Sequence, residues 1–221
     1  MNYSVSEQNY IKSIYHLRGD RELVTTNRLA AELLTKPASV TDMLKKLKMK
    51  NLLSYERYKG FRLSAEGRRV ALGIIRRHRL WESFLSEKLL FTWDEVHEVA
   101  EELEHVTHPK LIEKLDAYLG YPKFDPHGEP IPDRHGKMES LPMLLLSECP
   151  AGETLEVAAV SDQRPEILEL LSHHRIGIGS RLQLMKRFGF DRSLEIQCET
   201  NPPIVISALL AEHIRVKKIT S

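Results

Sequence analysis

Apolar residues recur at helical spacing in the first half of the chain and at strand spacing in the last third, and that change of period organises the molecule. Val5, Tyr10, Ile14 and Leu17 share one face of a helix predicted over 5–17, which Gly19 ends. Thr26 is the expected cap of a second short helix, with Leu29, Ala30, Leu33 and Leu34 as its apolar positions. Thr35 offers a cap and Pro37 a first-turn residue for a third helix, where Val40, Met43, Leu44 and Leu47 keep the 3.6-residue period. After Asn51 the period shortens. Residues 52–58 and 61–63 read as two strands joined by a tight turn at Lys59-Gly60.

Ser64 then starts a long helix in which Gly67 and Gly73 are the weak points. Thr92 and Glu95 match a capping box opening a helix over WDEVHEVAEELEHV, and Pro109 opens another that stops at Gly120. Residues 121–142 are crowded with Pro, Gly, Asp and His and read as a linker. Beyond it TLEVAAV, SRLQLMKRF, LEIQC, PIVIS and IRVKKI are short β-like runs separated by turn residues, as in a small barrel, with PEILELLSHHRI as one helical insertion. The expected fold is mainly α with a small β domain. The predicted divisions are 1–64, 65–140 including the linker, and 141–221.

Charge sharpens this division. Residues 1–80 hold 17 Lys and Arg against 7 Asp and Glu, residues 81–140 hold 6 against 14, and the remainder is nearly balanced. A basic first part suits an anionic partner and an acidic middle suits cations, although solvated faces also vary in charge. No stretch approaches the roughly 20 apolar residues a membrane helix needs. The N-terminus lacks the basic and apolar regions of a signal peptide, and two cysteines cannot make a disulfide scaffold. A cytoplasmic protein without a membrane partner is the expectation.

Two short helices, a third with a Ser/Thr-rich start and a β-hairpin follow the order of a winged helix-turn-helix, whose third helix enters the DNA major groove. The predicted DNA-facing residues are Thr26, Lys36, Pro37, Ala38, Ser39, Thr41, Asp42, Lys45, Lys46, Arg57 and Lys59, with Lys48, Lys50 and Arg62 as further phosphate contacts. A helical core with a solvated lysine face is the competing reading; the adjacent hairpin and the basic excess favour DNA. His97, Glu101, Glu104 and His105 stand at i, i+4, i+7 and i+8, which a continuous helix places on one face, and His78 and Glu82 stand at i, i+4. Mixed nitrogen and oxygen ligation without thiolate suits Mn(II) or Fe(II) and tolerates Co(II), Ni(II), Zn(II) or Cd(II). Each residue alone reads as an ordinary surface or hydrogen-bonded side chain; the two clusters together point to metal. His127 and His135 in the linker carry only weak motivation for a metal role.

The motifs YIKSIYHL, SVTDMLKKLKMKNLL, YKGFRLSAEGR, RHRLWESFL, VHEVAEELEHV and PHGEPIP together resemble the diphtheria toxin repressor family, in particular its manganese transport regulator branch, over essentially the whole chain. The C-terminal part is similar to the SH3-like domain of the longer members. The resemblance implies a homodimer that binds palindromic double-stranded operator DNA when loaded with metal and represses metal-uptake genes, with its dimer surface within about 65–120. It implies a primary site of Glu101, Glu104, His105 and a first-helix ligand at Asn9, and an ancillary site of His78, Glu82 and His97 completed by Asp162, with Gln163 and Glu166 behind it. Two positions depart from the pattern. Asn9 stands where the branch carries Asp, with Glu7 and Gln8 beside it, and Lys12 stands where two-domain manganese regulators carry Glu, which argues against a paired-manganese site. Glu101, where iron-type members carry Cys, favours Mn(II) on hardness grounds. An iron-type regulator of the same family is the nearest alternative. A metal-dependent hydrolase is the alternative of another class, disfavoured by the absence of HExxH, a phosphate loop or a nucleophile elbow. No enzyme activity and no small-molecule substrate are expected.

Overall fold

The computed structural model describes residues 3–17, 23–56, 59–139, 142–199 and 201–219. Helices α1 (Val5–Leu17), α2 (Thr26–Glu32) and α3 (Pro37–Met49) precede the antiparallel strands β1 (Leu53–Glu56) and β2 (Gly60–Leu63). Helix α4 (Ala65–Leu89) is followed by α5 (Val96–Leu103) and α6 (Pro109–Tyr118). The last third contains β3 (Leu144–Leu145), β4 (Thr154–Val160), α7 (Pro165–His173), β5 (Arg181–Arg187), β6 (Leu194–Cys198), β7 (Ile204–Ile206), α8 (Ala208–Ala211) and β8 (Ile214–Lys218). Two compact units result. The first comprises Met1–His78, Leu103–Pro109 and Pro132–Lys137, and the second Arg79–Glu102, Lys110–Ile131 and Met138–Ser221.

In the first unit most of the predicted apolar positions close on one core, but Val5 and Leu34 are exposed. Ile11 and Ile14 of α1, Leu29 of α2, Val40, Leu44 and Leu47 of α3, and Phe61 of β2 are buried together. The hairpin pairs Leu53 with Leu63 and Glu56 with Gly60, and Val24 forms a bridge to Phe61. Thr25, not Thr26, caps α2: its side chain accepts the Arg28 N–H at 3.3 Å. Lys36, not Thr35, precedes α3, because Pro37 takes the first helical position and holds the residue before it extended. Gly67 lowers helix propensity in α4 but is required there: a Cβ would stand 2.1 Å from the Leu52 carbonyl oxygen. Gly19, Arg57 and Tyr58 lie outside the described residues.

The second unit is built on a six-stranded antiparallel sheet in the order β3-β8-β4-β5-β6-β7. Leu155, Val157, Leu182, Leu184, Leu194, Ile196 and Val216 point to its core, joined by Leu168 and Leu171 of α7. The strand runs read from the sequence all appear, while β3 and α8 are too short to leave a periodic signal. A smaller cluster joins Leu80 of α4, Leu115 of α6 and Ile131. Thr92 and Glu95 bond as in a capping box, the Thr92 N–H and hydroxyl donating to Glu95 Oε2 at 3.0 and 2.6 Å, but regular helix begins only at Val96. Among the described residues no helix is long and apolar enough to cross a membrane.

Candidate metal centre

The expected helical face over 97–105 is interrupted. Helix α5 ends at Leu103, so Glu104 and His105 lie in a turn and not on its face. At the stop the Arg77 Nε–H, from a residue distant in sequence, donates to the Glu104 carbonyl at 2.6 Å, satisfying an acceptor at the helix end with a side chain. In the first unit the Glu104 carboxylate is buried, and its Oε2 lies 2.8 Å from Lys12 Nζ on α1 and 2.7 Å from His78 Nδ1 on α4. Its Oε1 has no hydrogen-bond partner among the described residues and stands 3.9 Å from His105 Nε2. Burial raises the Glu104 pKa, but the His78 contact and the Lys12 ammonium outweigh it and hold the carboxyl below its usual range.

Of the residues around Asn9, Glu7 and Gln8 are both buried, and Gln8 is the one that shares a cavity with His105. Its Oε1 accepts from Arg77 at 3.0 Å, and it lines a cavity of about 590 Å³ together with Ser4, Gly73, Arg77, His105 and Thr107. Asn9 is exposed and lines a shallower groove with Ser6, Leu33, Ser39 and Met43. Glu7 is buried against Lys50, whose Nζ is 2.6 Å from its Oε1.

In the second unit the Glu82 side chain is fully buried, with His97 Nδ1 at 3.3 Å and His127 Nδ1 at 3.7 Å from its Oε1. His97 Nε2 is also 3.6 Å from Glu101 Oε1, so the exposed Glu101 is drawn to His97. His78 lies one helical turn before Glu82 on α4. The Asp162 carboxylate is held by the Arg164 guanidinium at 2.7–3.0 Å and stands 3.8 Å from His213. Asp125 and Arg79, which spacing did not single out, are buried partners in this region, and Arg79 also pairs with Glu129. The signal for Asp125 was the Asp-Pro-His-Gly run, which is far in sequence from Glu82.

Most of the residues predicted to face DNA lie on the surface of the first unit. Lys36, Pro37, Ala38, Ser39, Thr41, Asp42, Lys45, Lys46 and Lys48 are all exposed, while Val40, Leu44 and Leu47 of the same helix are buried. Asp42 pairs with Lys45 at 3.0 Å, Thr26 is the half-buried first residue of α2, and Lys59 is exposed in the hairpin turn.

Three family models match in sequence along the chain. They are the iron-dependent repressor N-terminal DNA-binding domain over 3–61, the iron-dependent repressor metal-binding and dimerisation domain over 64–133, and the FeoA domain over 144–218. The HTH-type transcriptional regulator MntR of Oceanobacillus iheyensis is 31% identical over 120 residues, covering 54% of this chain and 81% of that protein. This chain belongs to the iron-dependent repressor family. Family membership makes it a metal-dependent transcriptional repressor and removes the hydrolase alternative. The diphtheria toxin repressor of Corynebacterium jeikeium is 30% identical over 133 residues, 60% of this chain and 55% of that one. A manganese-dependent transcriptional repressor in complex with manganese has the same architecture, with a TM-score of 0.88 and 32% identity over 96% of this chain and all of that one. The mainly α fold with a small C-terminal β domain is that of the family, FeoA being its SH3-like part.

The donors fit the metals such repressors use. Glu104 Oε1 is a buried carboxylate oxygen without a hydrogen bond beside an imidazole, and Glu82 is a buried carboxylate flanked by two imidazoles. Oxygen and imidazole nitrogen without thiolate suit hard and borderline divalent ions.

Proposed function

We propose that this chain is a cytoplasmic homodimer that binds palindromic operator DNA when loaded with Mn(II) or Fe(II) and represses metal-uptake genes. The supporting observation is Glu104: one buried carboxylate gathers Lys12 from the DNA-binding head, His78 from α4 and His105 from its own turn. Glu101, Glu104 and His105 with an oxygen from α1, at Asn9 or the inward-facing Gln8, would hold one ion. His78, Glu82 and His97, with Asp162 as a candidate, would hold another. A bound divalent ion supplies positive charge that carboxylates and imidazoles on separate segments share.

The residues of the chain then account for the response. Ile11 and Ile14 of α1 are buried with Val40 and Leu44 of α3, so ordering α1 orders the helix that presents Ala38, Ser39, Thr41 and Asp42. Lys36, Lys45, Lys46, Lys59 and Arg57 contribute phosphate contacts, and Thr26 contributes one at the start of α2. A freely orienting head loses entropy on binding DNA; an ordered one has already lost it.

The test is fluorescence anisotropy on duplex DNA selected in vitro by the Mn(II)-loaded protein. Affinity is measured with Mn(II), with Fe(II) under anaerobic conditions and with EDTA. Tighter binding with metal, lost in Glu104→Ala and His105→Ala, supports the proposal. Equal affinity with metal and with EDTA overturns it.

A further inference from the structure

Shortly after Asp125-Pro126-His127-Gly128 the chain repeats the pattern as Asp133-Arg134-His135-Gly136. Asp133 Oδ1 accepts the N–H groups of His135 and Lys137, both at 2.8 Å, and Gly136 has φ +79°. The backbone closes the turn again: the Asp133 N–H donates to the Lys137 carbonyl at 2.8 Å and the Gly136 N–H to the Asp133 carbonyl at 2.9 Å. This turn belongs to the first unit and packs on α4. A Cβ on Gly136 would stand 3.0 Å from Leu72 Cδ1, and Arg76 Nη1 donates to the Pro132 carbonyl at 2.6 Å. His135 is exposed where His127 is buried, so the repeat presents its imidazole at the surface.

Between this turn and α4 lies a recess of about 350 Å³, at the small end of ligand pockets, which run from roughly 300 to 1,000 Å³. Arg69, Gly73 and Arg76 line it from one face of α4, at i, i+4 and i+7, and Arg134 and His135 line it from the turn. Arg134 Nε donates to His135 Nε2 at 3.0 Å, and its terminal amino groups make no hydrogen bond among the described residues. A guanidinium only donates, so Nε2 accepts and the proton of the neutral ring sits on Nδ1, a further donor. Asp133 is the one carboxylate among the lining residues, and its Oδ1 is already shared by two N–H groups, while Glu66 pairs with Arg69 at 2.6 Å. Three guanidiniums and an imidazole therefore face one carboxylate. Gly73 points the same way. It weakens α4 as a helix, yet unlike Gly67 it has no packing reason: among the described residues a Cβ there would meet only Arg77 Nη1, at 3.8 Å, an ordinary contact. The missing side chain leaves an open floor between Arg69 and Arg76. Arg69 and Gly73 also border the larger cavity with Gln8 and His105, whereas Arg76, Arg134 and His135 line the smaller recess alone.

We propose that Arg69, Arg76, Arg134 and His135 hold a phosphate group over Gly73. Guanidiniums approaching from two segments suit the tetrahedral oxygens of a phosphate, each through a forked, charge-assisted pair of hydrogen bonds. Two sources carry this chemistry: the backbone of DNA bound by the same unit, and a free phosphate. The site uses no metal ligand and stands apart from the metal-dependent reading.

The experiment uses the full metal-free chain labelled with ¹⁵N-histidine and titrated at constant pH with sodium phosphate, its ring nitrogens followed by NMR. Sodium chloride at matched ionic strength is the control, and the His135 resonances are assigned by their loss in His135→Gln. Phosphate moves the His135 resonances saturably and chloride does not. Arg134→Ala, at an exposed position, and Gly73→Ala each weaken phosphate about tenfold, and Gly73→Ala also raises Tm. A response equalled by chloride overturns the proposal, and so does unchanged phosphate affinity in either folded variant. Anisotropy on duplex DNA over a salt series assigns the source. A backbone phosphate here makes the slope of log affinity against log salt shallower by about 0.9 in Arg134→Ala. An unchanged slope beside saturable phosphate binding assigns the site to free phosphate. Phosphate binding without metal-dependent DNA binding sinks the repressor mechanism alone, and the reverse sinks this site alone.

Discussion

Lys12→Ala should make the metal-free protein less stable and its metal binding tighter. Lys12 Nζ is 2.8 Å from Glu104 Oε2, and the two side chains are 15% and 1% exposed. Removing one partner of a buried ion pair costs about 3–5 kcal/mol when the other charge is stranded. Glu104 is not stranded, because His78 Nδ1 remains at 2.7 Å from the same oxygen, so the lower figure of about 2–3 kcal/mol applies. For a chain of this length that is a fall in Tm of roughly 4–12 °C, read by calorimetry in EDTA. The ammonium also opposes any cation shared by Glu104. At ~4 Å and an effective dielectric near 20, two unit charges repel by about 4 kcal/mol. A lysine that swings aside relieves most of this, leaving about 1–3 kcal/mol, or roughly 5- to 150-fold in Mn(II) affinity by isothermal calorimetry. A purely structural lysine would lower Tm without tightening metal binding. An unchanged Tm in EDTA, or Mn(II) affinity that is unchanged or weaker, refutes the reasoning.

Other outcomes follow from the packing and charge already described. Gly67→Ala, which in an open helix would stabilise by about 1 kcal/mol, should destabilise here because the Leu52 backbone lies 2.1 Å from the new Cβ; chemical denaturation gives the sign. Leu44→Ala, at the centre of the first core, should cost about 2–5 kcal/mol and weaken DNA binding only as far as the head unfolds. Lys46→Ala should lower the slope of log affinity against log salt by about 1 without changing sequence preference, measured by anisotropy over a salt series.

The apolar period was enough to place α1, α2, α3, the hairpin, α4 and the strands of the C-terminal sheet, because each buries one side and its spacing records which. Capping was harder to place, and the true caps fell one residue from Thr26 and Thr35, since side-chain chemistry alone does not say where Pro37 will fix the chain. The exposed face of α3 was legible for the same reason as its buried one.

The metal centre was legible only as a set of residue types. Spacing treats His97 to His105 as one helix, and that inference fails where Arg77, distant in sequence, takes the Glu104 carbonyl and ends it. Which groups face a buried carboxylate is likewise set by long-range packing. His127 and Asp125 lie more than forty residues from Glu82, and Lys12 lies 92 residues from Glu104. The sequence by itself determined the elements, the basic face and the stock of oxygen and nitrogen donors, because these follow from local periodicity and residue chemistry. Only the tertiary structure decided which donors share an ion-sized space and which ammonium opposes the ion there, because both depend on segments brought together by burial and not by spacing.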